Sequence, residues 1–147
     1  QLTSKTKGFW MALKELKRVT KNKSIILVDF KSFYRNLGML IQNKDKPRIK
    51  KLMENRVYSS KYHKFEEIDF KTEDVVTLIR KSGLKLIKIL GKDTMYQYFS
   101  RMDEKKKNQL FKNKNDRDYF MQIDKKLRKD TKFVPLSNEI VAILKKI

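Results

Sequence analysis

Cysteine is absent from all 147 residues. Its absence excludes disulfides, thiolate zinc sites and a cysteine nucleophile. The one histidine, His63, excludes a multi-histidine metal centre. No apolar run approaches the roughly 18 residues of a membrane span, so no membrane partner is expected. Glycine occurs four times and proline twice, and each therefore marks a boundary worth reading. Acidic residues are also scarce: 17 Asp and Glu stand against 37 Lys and Arg, a net charge of +20.

What is present is a folding composition. Hydrophobic residues make up 39% and aromatics 11%, too much for a disordered basic tail. A chain of this length can bury roughly two-thirds of its unfolded surface. Self-repulsion at +20 weakens a compact state, and a polyanion relieves it. Phosphate backbones are such polyanions, and release of their condensed counterions drives association. The charge is uneven along the chain: +13 over residues 1–64, zero over 65–100, +6 over 101–132 and +1 over 133–147. A neutral centre between two basic regions points to two contact surfaces. Nucleic acid is the expected partner, DNA ahead of RNA, with protein partners or self-association as further options. The expected location is intracellular, in cytoplasm, nucleoid or nucleus. Gln1 in place of an initiating methionine reads as a fragment or a processed product.

Periodicity gives a mainly α protein with a small β-hairpin, a helical bundle followed by an α+β segment. Phe9, Leu13, Leu16 and Thr20 recur at helical steps, with Lys14, Lys17, Arg18 and Lys21 between them, so a basic amphipathic helix is expected. Ile26, Phe30, Phe33, Leu37 and Leu40 extend a helical stripe over 25–42, against the strand-like look of Ile25-Ile26-Leu27-Val28. After a turn at 43–46, Pro47 opens a short helix with Ile49, Leu52 and Met53 inside and Arg48, Lys50 and Lys51 outside. Residues 58–71 read as a linker between a basic helical domain, 1–57, and a second domain, 72–147. Thr72-Glu73-Asp74 is a helix start and Gly83 its stop. Leu84–Leu90 fits helix or strand. Asp93 or Thr94 starts another helix carrying Met95, Phe99 and Met102. In the tail, 119–123 and 132–136 pair as strands around a tip holding Lys125, Lys126, Arg128, Lys129 and Lys132. Ser137 then caps a helix with Ile140, Ile143 and Leu144.

The nucleic-acid-binding candidates are Lys14, Lys17, Arg18, Lys21, Arg48, Lys50 and Lys51, together with the five cations of the tip. Trp10, Tyr34, Tyr58, Tyr62, Tyr96 and Tyr98 could stack on bases where exposed.

Three motifs bear on chemistry. The run Lys132-Phe133-Val134-Pro135-Leu136-Ser137, followed by Glu139–Leu144, resembles the hairpin and helix of the tyrosine recombinase (phage integrase) catalytic domain. Phe70–Ile79 resembles that domain's first helix, and residues 1–57 its core-binding domain. The resemblance implies DNA binding by a phage or mobile-element protein, with Lys126 or its neighbour Lys125 as the hairpin general acid. The pattern departs at Gly91-Lys92, where the family has an arginine, and no His-x-x-Arg box or tyrosine nucleophile follows. No catalysis by this chain alone is expected. Ile26–Tyr34 resembles the first metal motif of translesion (Y-family) polymerases, which requires a strand bearing Asp29. Asp29-Phe30-Lys31 and Asp69-Phe70-Lys71 have the acid-x-Lys spacing of metal-dependent nucleases, with Glu15, Glu66 and Glu67 as further acids. These give the alternative of a nuclease; another is an RNA-binding subunit of a ribonucleoprotein or polymerase complex. No cofactor and no resident metal are expected.

Overall fold

The computed structural model describes residues 4–59, 66–95 and 102–147. In chain order the elements are α1 (Ser4–Val19), β1 (Ile25–Lys31), α2 (Phe33–Gln42), α3 (Lys46–Asn55), β2 (Val57–Ser59), β3 (Glu66–Ile68), α4 (Thr72–Ser82), β4 (Lys85–Lys92), α5 (Glu104–Lys112), α6 (Lys114–Leu127), a 3₁₀ turn at Val134–Leu136, and β5 (Glu139–Lys145). This is an α+β architecture, which corrects the expected mainly α class. β1, β5 and β4 form an antiparallel sheet in that order, and β2 pairs with β3 in a separate ribbon.

Residues 25–42 hold a strand and a helix, not one helix. The inward residues Ile26 and Phe30 of β1 lead into Phe33 and Leu40 of α2, and their spacing imitates a continuous helical stripe. Burial along β1 alternates, as a half-buried strand requires. Its β-branched start suits a pleated surface, and pairing from Ile25↔Lys145 to Lys31↔Glu139 fixes the register. The tail is corrected more fully. Residues 119–123 lie inside α6, 132–136 hold a 3₁₀ turn, and the expected helix after Ser137 is β5. The predicted hairpin and its tip are therefore not formed. Ile140, Ala142 and Leu144 are fully buried while their neighbours are half exposed. That is a period of two, and cross-strand packing on both sides overrides the helical spacing of Ile140, Ile143 and Leu144. Leu84–Leu90 resolves as strand.

Other starts and stops follow local chemistry. Asp45 caps α3 by accepting from the Arg48 N–H, with Pro47 in the first turn. Gly83 closes α4 at φ 74°, a left-handed position that favours glycine. Lys71, not Thr72, is the N-cap of α4. The Asp74 carboxylate accepts from the Lys71 N–H at 3.1 Å, and the Thr72 hydroxyl is buried without a partner. The helix expected from Asp93 or Thr94 falls largely outside the described residues, as do Phe99, Tyr62, His63, Tyr96 and Tyr98.

Residues from 1–57 and from 72–147 share one sheet and one core. α1 and α4 cover one sheet face, bringing Leu13, Val75, Leu78 and Ile79 onto Ile26, Phe30, Ile140 and Leu144. Phe9, Phe30 and Phe70 form a ring cluster with centroids 4.8–5.5 Å apart. A smaller core of Phe33, Leu40 and Leu52 joins α2 to α3.

Gly91 sits where β4 meets the turn before β5. A Cβ there would lie 1.9 Å from Ser137 Oγ and 2.9 Å from Thr94 Oγ1, two hydroxyls that share a buried hydrogen bond of 2.9 Å. Gly91→Ala is expected to cost about 1–3 kcal/mol through overpacking, read as a lower urea midpoint. An unchanged midpoint would show that the turn has room to spare.

Candidate nucleic-acid interface

Sheet topology gathers cations that are far apart in sequence. Antiparallel pairing puts the start of β1, the end of β5 and the start of β4 at one edge, aligning Ile25, Lys145 and Lys85. The C-terminal ends of α1 and α4 arrive at the same edge. Trp10 Nε1 donates to the Lys81 carbonyl at 3.3 Å, and the Lys14 ammonium lies 4.4 Å from the Trp10 ring centroid. The Lys17 ammonium abuts Gly83. Lys146 Nζ donates to the Thr20 carbonyl at 2.7 Å, and the Lys23 N–H donates to the Lys146 carbonyl at 3.0 Å.

The result is a basic pole of Lys14, Lys17, Arg18, Lys21, Lys23, Lys81, Lys85, Lys145 and Lys146. Among the described residues, Arg18 alone of these pairs with a carboxylate, that of Glu15 on the same helix. That hydrogen bond holds the Glu15 carboxyl below its usual range and raises the Arg18 guanidinium. Cations at helix C-termini also sit at the negative ends of the helix dipoles, which stabilises their crowding.

The other sequence candidates divide. On α3, Arg48 is held by Asp45 and donates to the Ser59 carbonyl at 3.0 Å. Lys51 bonds Ser59 Oγ and the Glu66 carboxylate. These two brace α3 against the β2–β3 ribbon. Lys50 is exposed, 4.0 Å from Glu54. Lys125 and Lys126 stand in the last turn of α6, and Lys129 and Lys132 lie in the exposed segment after it. Arg128 is engaged with Asp124, and its carbonyl accepts from the Gly91 N–H at 2.8 Å. This second basic group therefore meets the far end of β4, opposite the pole. Without the hairpin, Lys126 is a cation at a helix end, not on a strand loop.

Beside that far end is an ion cluster on the outward sheet face. The Glu139 carboxylate accepts from Lys31 at 2.6 Å and Lys92 at 2.5 Å, and Lys92 also lies 3.6 Å from Asp29. The two ammonium groups hold the Glu139 carboxyl below the usual range, and Glu139 raises Lys92. The strand needed by the polymerase-like motif is present, but Asp29 faces an ammonium there. Asp69 is buried, 1% exposed. Its Oδ2 accepts from Asn36 Nδ2 at 2.8 Å and its Oδ1 has no partner. Burial pushes its carboxyl up to about 7, opposed by the Asn36 bond. Glu15 and Glu66 are each engaged with a basic side chain. Among the described residues no three acidic or histidine side chains converge to hold a metal.

Of the aromatic candidates, Trp10 is half buried against α4, Tyr34 is 37% exposed, and burial raises Tyr58. Lys23, Lys81, Lys85, Lys145 and Lys146 were not among the sequence candidates. Reading 139–145 as a strand antiparallel to both neighbours places Lys23, Lys85, Lys145 and Lys146, while Lys81 arrives by the packing of α4 on α1. No helix of the described residues is long and apolar enough to cross a membrane. Compared with known proteins, the chain matches no family model and no curated protein.

Proposed function

We propose that the protein binds nucleic acid, DNA in the first instance, through the basic pole and without catalysis of its own. The observation that carries this reading is the convergence, at one edge, of unpaired lysines from α1, α4, β4, β5 and the turn before β1. A lysine whose charge is already met by a neighbouring carboxylate gains little from a phosphate. An unpaired one at a crowded edge gains the attraction and is relieved of the repulsion of its neighbours. Ammonium groups act here as point charges on flexible stems, so the pole suits a row of phosphates more than base-edge readout.

The test is a salt titration with a 20-base-pair DNA duplex of mixed sequence. Log affinity is expected to fall linearly with log salt, with a slope of about −4.5 to −5.5 for five to six phosphates. Replacing Lys17, Lys21 and Lys85 together by glutamines should reduce that slope by roughly one for each phosphate left without its ammonium. Lys50→Gln, away from the pole, should leave it unchanged. A flat titration would remove the proposal, and an equal effect from Lys50→Gln would move the site.

A further inference from the structure

The sheet has a second face. α1 and α4 cover the side bearing Phe30 and Ile140, while strand alternation sends the intervening side chains outward. There Leu27 is 66% exposed, Ile25 56% and Ile87, at the β4 bulge, 48%. Val141 and Ile143 are half buried between them on β5. An aliphatic strip therefore runs along the open face. Among the described residues, the cations on this face that meet no carboxylate are Lys85 and Lys145 of the pole and Lys88, exposed on β4 opposite Ile143. The two carboxylates on this face, Asp29 and Glu139, are met by Lys31 and Lys92.

Resting on the nucleic-acid reading above, we propose that this face is a platform for single-stranded nucleic acid. The backbone would enter at the pole and cross the sheet past Lys88, with its bases lying on Leu27 and its neighbours. A strand of this length spans about 20 Å, room for a few nucleotides. Charge complementarity selects a polyanion, and the apolar strip selects its form. A duplex buries its base faces in its own stack and offers a flat sheet only phosphates and grooves. It would leave Leu27 in water. A single strand exposes apolar base faces, which a platform can cover while flanking cations hold the phosphates. The aliphatic side chains of the strip carry no hydrogen-bonding groups, and Lys88 beside them is a point charge on a flexible stem, so binding is expected to tolerate sequence.

The experiment compares oligo(dT) of 20 nucleotides with the 20-base-pair duplex by fluorescence anisotropy at one salt concentration. The variant is the double substitution Ile25→Gln and Leu27→Gln, which changes no charge and touches no core residue. The single strand is expected to bind at least tenfold more tightly than the duplex. The variant should bind the single strand on the order of tenfold more weakly and stay within twofold on the duplex, with an unchanged thermal midpoint. Equal affinity for the two forms, or equal weakening on both, overturns the platform while leaving duplex binding and its salt slope as support for the pole. Sedimentation showing a dimer that the variant dissolves would reassign the face to self-association and also overturn it. Binding to neither form removes both readings.

Discussion

Asp69→Asn is expected to raise stability at pH 8 by roughly 3–4 kcal/mol and to do almost nothing at pH 4. In the folded chain the carboxyl is sealed from water, with one oxygen bonded to Asn36 and the other without a partner. The charged form is therefore disfavoured and the group titrates near 7. In the unfolded chain it titrates near 4. Between those values the folded state keeps a proton that the unfolded state has released, so each unit of rising pH removes about 1.4 kcal/mol. The contribution is complete below pH 4 and is lost as pH passes 7. Arg35 and Lys31 favour the charged form, while Glu67 opposes it. Asparagine keeps the shape and an acceptor for Asn36 but cannot ionise. Urea unfolding of both proteins from pH 4 to 8 reads the difference directly. Curves that stay parallel would show that Asp69 is ionised and solvated in the folded state.

The second large effect is expected at Phe30. Its ring, 1% exposed, is centred 5.5 Å from Phe9 of α1 and 5.3 Å from Phe70. It therefore joins the first helix, the edge strand and the segment entering α4. Phe30→Ala removes the ring from between its two aromatic neighbours and leaves a cavity that these three elements cannot all close. A loss of about 3–5 kcal/mol is expected, read as a lower urea midpoint with little change in slope. Phe30→Leu, which keeps most of the volume, should cost clearly less. A loss below about 1 kcal/mol from the alanine variant would mean that the cluster repacks freely.

Legibility in the sequence tracked how local the deciding interaction is. α1, α3 and α4 were readable because their apolar spacing and their boundaries, Pro47 and Gly83, act within a few residues. α2 is half readable: its apolar stripe is real but continues without a break through Ser32 into β1. The strands β1 and β5 were misread because Ile26–Phe30–Phe33 and Ile140–Ile143–Leu144 satisfy a helical spacing as well as alternation. The pairing that decides between them joins residues more than 100 positions apart. The candidate site shows the same division. Lys14, Lys17, Arg18 and Lys21 lie on a local amphipathic pattern that the sequence shows directly. Their companions Lys85 and Lys145 became neighbours only through the sheet. Arg48 and Lys51 looked equally suitable as phosphate ligands, but ion pairs and hydrogen bonds with Asp45, Ser59 and Glu66 occupy them.

The order β1-β5-β4 sets the timetable of folding. The strand that the sheet needs in its middle is the last of the three to be synthesised, so β1 and β4 have no ladder to join until residues 139–145 leave the ribosome. Until then Ile25–Lys31 and Lys85–Lys92 expose unpaired backbone and apolar side chains on their whole length, the condition that invites aggregation. Lys31, Lys85, Lys88 and Lys92 put charge on those same strands, the kind of side chain that opposes edge-to-edge pairing.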